Sequence, residues 1–225
     1  MPFKEYFRDL LSRGRYDFHI HSCLSPCGDD DMTPATICGI ARLNGLESVA
    51  LTDHNTAKNC PAFQKAAEFY GLKALFGMEL TTAEDIHLVC LFDELSAAMS
   101  FDEFVNTHRI KIPNRPDIFG NQLIMNEDDE IIGRDEFLLI NATDITIEDA
   151  KNPVETLGGI CYPAHIDREA NGVIATLGVF PHECGFEFFE LHDAENQAEY
   201  SAKYGLGGLN SVISSDAHSI PNIKQ

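Results

Sequence analysis

Two histidines separated by one residue, in the run Asp17-Phe18-His19-Ile20-His21, constrain this chain more than any other feature. In extended backbone, residues two apart project to the same side, so His19 and His21 can offer two imidazoles to one ion. Asp216 and His218 repeat the spacing near the far end of the sequence. The stretch Arg15-Tyr16-Asp17-Phe18 before His19 reads as strand, as does Ser48-Val49-Ala50-Leu51 before Thr52-Asp53-His54. Both sets of candidate ligands therefore fall at strand C-terminal ends, where α/β barrels assemble their reactive groups.

Apolar strand-like runs alternate with helical patterns along most of the chain, the signature of an α/β fold. Thr33-Pro34 followed by Ala35 to Leu43 predicts a helix capped by Thr33, with Pro34 in its first turn and Gly45 ending it. Pro61 to Tyr70 predicts the next helix, stopped by Gly71, and Lys73 to Phe76 leads as a strand into a turn at Gly77-Met78-Glu79. His87 opens a further strand, His87 to Phe92. From Asp93 to Ile147 the pattern changes. A helix over Leu95 to His108 is followed by a Pro-rich turn at Pro113 and Pro116, then by two short runs flanking the polar tip Asn126-Glu127-Asp128-Asp129, as in a hairpin. We read this segment, about 93–147, as an insertion beside the main fold that walls the site on one side or is only an elaborated surface hairpin. The α/β pattern resumes with Gly159 to Tyr162 leading to Pro163-Ala164-His165, then Glu187 to Leu191, and Ser211 to Ser214 leading to Asp216.

At 225 residues the chain fits a single domain, 1–225, with a sizeable core. Its formal net charge is −20 at pH 7, which argues against a long nucleic-acid partner. The N-terminus from Met1 to Leu10 mixes charges among its apolar residues and lacks a signal peptide's apolar core. No run approaches a membrane span. Seven cysteines without a CxxC pair fit a reducing, cytoplasmic setting and not a disulfide framework.

The ordered series HxH (His19, His21), TDH (His54), Glu79 with the later His87, the isolated His165, and DxH (Asp216, His218) resembles the PHP (polymerase and histidinol phosphatase) family of metal-dependent phosphoesterases. The likeness covers nearly the whole chain, from Asp17 to His218. It implies a distorted (β/α)7 TIM-like barrel, two or three divalent metals at its C-terminal mouth, and hydrolysis of a phosphate ester. Zinc, manganese or iron suits the imidazole and carboxylate donors, with magnesium a further candidate. In the family the position of Glu79 bridges two ions. Family members often carry Ser-Asp-Gly shortly after the HxH pair, with an aspartate that holds a metal. This chain instead reads Ser22-Cys23-Leu24-Ser25-Pro26-Cys27-Gly28-Asp29-Asp30-Asp31, and Asp29 is the replacement ligand expected here, with Asp30 and Asp31 as alternatives.

The metal set expected is thus His19, His21, Asp29, His54, Glu79, His87, His165, Asp216 and His218. Asp53 is expected to orient His54 as a hydrogen-bond acceptor, and Asp17 to do the same for His19. Cys23, Cys27 and Cys60 follow these motifs, and a thiolate among them could approach the metals, whereas the remaining cysteines read as core. His108, His182 and His192 read as structural. The chemistry expected is attack on phosphorus by a metal-bound hydroxide, with His218 or a nearby acid assisting the leaving alkoxide and Arg168 gripping the phosphate. Arg134 and Lys58 are alternatives to Arg168. Three readings follow: a phosphatase or phosphodiesterase for a small phosphorylated substrate, exonuclease-like hydrolysis of nucleic-acid ends, and a metal-binding regulatory protein. Because only seven residues follow His218, the closing helix of the barrel is expected to be absent or very short, leaving that edge open or covered by a partner.

Overall fold

The computed structural model describes residues 2–224. Its central feature is a curled five-stranded sheet, in the order β1 (Tyr16–Asp17), β2 (Ser48–Leu51), β3 (Lys73–Thr81), β4 (His87–Phe92) and β7 (Ile160–Pro163). A separate antiparallel hairpin is formed by β5 (Leu123–Met125) and β6 (Ile131–Arg134), and a separate parallel pair by β8 (Phe188–Leu191) and β9 (Asn210–Ile213). The β8–β9 pair meets the end of β1 at a parallel bridge between Ile20 and Ala217. Among the described residues no ladder joins β7 to β8, so the hydrogen-bonded sheet is a half-barrel and not the continuous (β/α)7 ring implied by the resemblance. Nor is it all-parallel. A tight turn, in which Thr82 N donates to Ile86 O, sends β4 back antiparallel to β3. The start of β4, and with it His87, thereby lies at the same end as the C-termini of the other strands.

Alternation along the strands sorts their side chains into two layers. Ala50, Leu75, Val89, Leu91, Ile160, Tyr162, Phe188 and Val212 share one buried cluster on the inner face. Their neighbours Val49, Leu51, Phe76, Met78, Leu88, Cys90, Cys161 and Phe189 point outward into a second cluster. The outer layer is roofed by α2 (Pro34–Leu43), α3 (Cys60–Tyr70), α4 (Leu95–His108) and α6 (Ile147–Thr156), which bury Ile37, Phe63, Phe101 and Val154 respectively. The capping reads as expected: Thr33 accepts from Thr36 N, and Gly71 closes α3 at φ 67°. Shorter helices α5 (Pro116–Phe119), α7 (Val173–Leu177) and α8 (Gln197–Tyr204) lie in the connections.

Helix α1 (Phe3–Arg13) was not anticipated. Phe3, Phe7 and Leu10 form its buried stripe, at the spacing of one helix face. The Phe7 ring lies 5.1 Å from both Phe18 and Phe188 and 6.0 Å from Tyr162, so α1 plugs the end of the strand interior opposite the histidines. Lys4 and Arg8 fasten it through Glu187 at 2.5 and 2.6 Å.

The expected insertion divides in two. Helix α4 packs on β3 and β4 through Ala98, Phe101 and Val105 as an ordinary outer-layer helix. The elaboration proper follows it and ends in the expected hairpin, whose tip is folded by Asn126 Oδ1 accepting from Asp128 N and Glu130 N. Gly77 is inside β3, not in a turn. A Cβ there would stand 1.9 Å from Cys90 O, so only glycine lets β4 approach at that point. After β9 the described residues form only a short 3-10 turn at Ile220–Asn222, beyond which Ile223 is buried and its carbonyl accepts from Asn44 Nδ2.

Candidate metal centre

Glu79 occupies the inner face of β3, four residues beyond Leu75, and is 1% exposed. Its two carboxylate oxygens meet five imidazoles. Oε1 lies 2.8 Å from His87 Nδ1, 3.0 Å from His165 Nε2 and 3.3 Å from His19 Nε2. Oε2 lies 3.1 Å from His54 Nδ1 and 3.3 Å from His21 Nε2. Asp216 Oδ1 closes the far side at 3.3 Å from His19 Nε2 and 3.2 Å from His21 Nε2.

Two hydrogen bonds decide which nitrogens face inward. His19 Nδ1–H donates to Glu190 Oε1 at 2.8 Å, and His21 Nδ1–H donates to Ser25 Oγ at 2.9 Å. Each ring thus turns its Nε2 toward the centre, and the two Nε2 atoms stand 3.2 Å apart. In neutral rings these are two lone pairs pointed at one place, an arrangement stabilised by a cation between them. Buried polar atoms that make no well-aligned hydrogen bond gather here too: His54 Nδ1, His87 Nδ1 and Asp216 Oδ1, all within 3.3 Å of another donor or acceptor of the cluster, together with His165 Nδ1 and Glu190 Oε2. Three overlapping groups, each with ligand atoms within 4.8 Å of one another, could hold ions: His19, His21, Glu79 and Asp216; His54, Glu79 and His87; and His21, Cys27, His54 and His218. The donors fit divalent transition metals.

The protein's own charges express the same excess. Although burial opposes charge on the ring, Asp216 and Glu79 push His21 up to about 9. Burial likewise opposes charge on His19, yet Glu190, Asp216 and Glu79 hold it well above its ordinary range. Burial would raise Glu79, but His87, His19 and His54 hold it well below the usual carboxylate range. Burial and the neighbouring His21 lower His218 to about 3, so its ring is neutral.

Backbone conformation brings the late ligands in. His165 and Asp216 adopt φ of 26° and 51°, in the left-handed region that non-glycine residues rarely enter. Asp216 and His218 therefore do not alternate along a strand as expected. They converge through a turn in which His218 Nδ1–H donates to Asp216 O at 2.8 Å, and the His218 ring stacks on His21 at 4.2 Å. This sets His218 in a ligand's posture, with its Nδ1–H engaged by a backbone carbonyl.

Several expected roles move. Asp29 is exposed, and neither it nor Asp30 or Asp31 belongs to a ligand group; the loop contributes Cys27 instead. Asp53 does not accept from His54. Its carboxylate accepts from Ser22 N, Ser22 Oγ and Ser25 Oγ at 2.6–2.7 Å, so it braces the loop that holds His21. Asp17 accepts from Ser215 N and Oγ, tying down the turn before Asp216, while His19 leans on Glu190. Glu190 also accepts from His165 N at 3.2 Å. This residue escaped sequence reading, although a lone acid within the apolar run Phe188-Phe189-Glu190-Leu191 is the kind of buried charge that needs a partner.

Arg168 does reach the mouth. Its guanidinium donates to Asp216 Oδ2 and, at 2.9 Å, to the His192 ring, which is thus part of the site's rim. Lys58 is engaged by Asp135 at 2.6 Å, and Arg134 lies exposed on β6. His108 pairs with Asp144 and His182 donates to Tyr204 O, both away from the centre as expected. The hairpin docks against the Ser22–Cys27 loop: Leu123 N donates to Cys23 O, and Asn59 bridges Ser22 Oγ, Leu123 O and Met125 N.

A buried carboxylate ringed by imidazoles at the strand ends of an α/β scaffold is the arrangement of a metal-dependent hydrolase. The chain belongs to the PHP domain family, whose model matches residues 17–141. A PolC-type DNA polymerase III from Streptococcus suis is 38% identical over 86 residues, which is 36% of this chain but 6% of the polymerase. The chain therefore spans a small fraction of that relative's length. Among solved structures, the lesion-specific endonuclease PfuEndoQ of Pyrococcus furiosus superposes with a TM-score of 0.63 at 20% identity, covering 91% of this chain and 48% of that one. A proposed metal-dependent phosphoesterase from Bifidobacterium adolescentis gives 0.59 at 18% identity, covering 90% and 87%. No helix among the described residues is long and apolar enough to cross a membrane.

Proposed function

We propose that this protein hydrolyses a phosphate ester of a small molecule at the Glu79 centre, using two or three divalent ions of zinc, manganese or iron held by His19, His21, His54, Glu79, His87, His165, Asp216 and His218. The observation that carries this reading is the single buried carboxylate touching five imidazoles. Metal ions held there would lower the pKa of water and neutralise the phosphoryl oxygens, the two requirements of ester hydrolysis at neutral pH.

The remaining work falls to the chain's own side chains. Arg168, one-third exposed and anchored by Asp216, is positioned to take a phosphate oxygen from solvent. Glu190 and the Asp53–Ser25 pair hold the two inner rings in one tautomer. The 123–134 hairpin walls one side, and its docking on the Ser22–Cys27 loop supports that role. A reducing compartment, such as the cytoplasm, suits the seven free cysteines.

A second reading, hydrolysis at nucleic-acid ends, is favoured by the polymerase relative. The net charge of −20 weighs against a long track of phosphates but not against a short end entering the mouth. Assays on aryl phosphate, bis-aryl phosphate and a labelled single-stranded oligonucleotide, each with added manganese, separate the two. Turnover of the aryl esters with an intact oligonucleotide supports the first reading. Stepwise shortening of the oligonucleotide with inert aryl esters replaces it by the second, and inertness of all three contradicts both.

A further inference from the structure

We propose that Cys27 is a metal ligand, making the outermost subsite of the centre a sulfur-bearing site for zinc or ferrous iron. The proposal rests on the reading of the Glu79 cluster as a metal centre and goes beyond it in assigning a thiolate, and hence a metal preference, to one subsite.

The Cys27 sulfur and one nitrogen each from His21, His54 and His218 lie within 4.8 Å of one another. The thiolate with the His54 and His218 imidazoles forms a three-donor set, the single lone pair of His21 Nε2 serving either this subsite or the inner one. This set suits zinc and iron and is poorly matched to magnesium, which takes oxygen ligands. Each ring is already turned to serve. His21 spends its Nδ1–H on Ser25 and His218 spends its own on Asp216 O, so the remaining nitrogen of each carries a lone pair. His54 is 5% exposed and sets its Nδ1 3.1 Å from Glu79 Oε2, so the nitrogen it has to offer the outer subsite is the other one, Nε2.

The loop holds the thiol there by backbone bonds. Ser25 N donates to Ser22 O, Gly28 N to Ser25 O, and Asp29 N to His218 O at 2.9 Å, stapling the cysteine's loop to the turn that carries His218. A Cβ at Gly28 would stand 2.5 Å from Ser22 O, so this winding requires glycine directly after Cys27. The other cysteines are turned elsewhere. Cys23 faces Leu123 O, Cys60 faces Gly77 O, and Cys90 and Cys161 face each other across β4 and β7. Cys27 alone is exposed at the mouth. Because only the thiolate binds, filling this subsite releases the thiol proton to solvent.

Cobalt(II) reports sulfur ligation directly, through a sulfur-to-cobalt charge-transfer band in the near ultraviolet that nitrogen and oxygen ligands do not give. Metal-stripped protein is titrated with cobalt, and absorption and bound cobalt are measured for wild type, Cys27→Asp and Cys27→Ser. The expected result is a band that saturates with the last equivalent bound by wild type and is absent from both variants, while Cys27→Asp still binds the inner equivalents. In wild type, zinc should also protect Cys27 from iodoacetamide, as mapped by mass spectrometry. Cobalt bound without the band, a band surviving in Cys27→Asp, or alkylation of Cys27 unaffected by zinc would overturn the thiolate assignment and leave the metal centre standing. Absence of bound cobalt would overturn both.

Discussion

Leu75 and Glu79 lie on the same inner face of β3, as do Phe188 and Glu190 on β8, yet each pair spans a change from hydrocarbon to charge. Below that boundary the interior is filled by Phe7, Phe18, Tyr162, Phe188 and Val212 and closed by α1. Above it, burial is unfavourable for nearly every group, and the donors hold their places only through partners such as Glu190, Ser25 and Asp53. The lower half therefore stabilises the fold, and the upper half draws on that stability to keep ionisable groups out of water. The two halves should respond differently to mutation.

The largest effect is expected at the hub. Glu79→Gln should abolish tight metal retention and reduce ester hydrolysis to background, as read by elemental analysis and turnover, while the chain remains folded by circular dichroism. Next comes the plug: Phe7→Ala should cost roughly 3–5 kcal/mol in urea unfolding, the range for truncating a buried Phe, with metal content unchanged below the transition. A mutant that lost metal while still folded would show that the two halves are not separable. Glu190→Gln sharpens the boundary, because it touches ligands without being expected to bind metal. Metal affinity should fall about 10–100-fold, measured by chelator competition, and an unchanged affinity would remove Glu190 from the supporting role.

The smallest effect belongs to the surface latch of α1. Glu187 is held below the usual carboxylate range chiefly by its hydrogen bond to Lys4. A depressed folded-state pKa contributes stability above the unfolded carboxylate's pKa and loses it as the pH falls through the folded value. Glu187→Gln should accordingly destabilise by under about 1 kcal/mol at neutral pH, since exposed pairs are screened. Its unfolding curve should merge with wild type in acid. A gap that persists in acid would assign the effect to packing and not to charge.

What the sequence could reveal followed locality. His19, His21, His54, Glu79, His87, His165, Asp216 and His218 were readable because each sits beside a strand-like run, and the structure gathers all eight. Helices α2, α3 and α4 were readable from caps and periodicity. Helix α1 was missed because its charges drew attention to what it is not, while Phe3, Phe7 and Leu10 form a face whose partners lie on distant strands. Glu190 and the true partners of Asp53 belong to the same category, since their bonds join residues 171 and 31 positions apart. The expectation of Asp29 came from the resemblance, in which an aspartate of the loop after the HxH pair holds a metal, whereas in the structure Asp29 is exposed and Cys27 is the loop residue near the histidines. Backbone winding around Gly28 decides which side chain faces the centre, and no residue-by-residue reading contains it.

The central claim, that the upper half is a metal centre organised on Glu79, is tested most directly by elemental analysis of wild type and Glu79→Gln purified without chelator. Two or three equivalents of zinc, manganese or iron in wild type, matching the three overlapping ligand groups, with the variant depleted, is the predicted result. A wild-type protein that carries no transition metal even after reconstitution, or a Glu79→Gln variant as fully loaded as wild type, would contradict it.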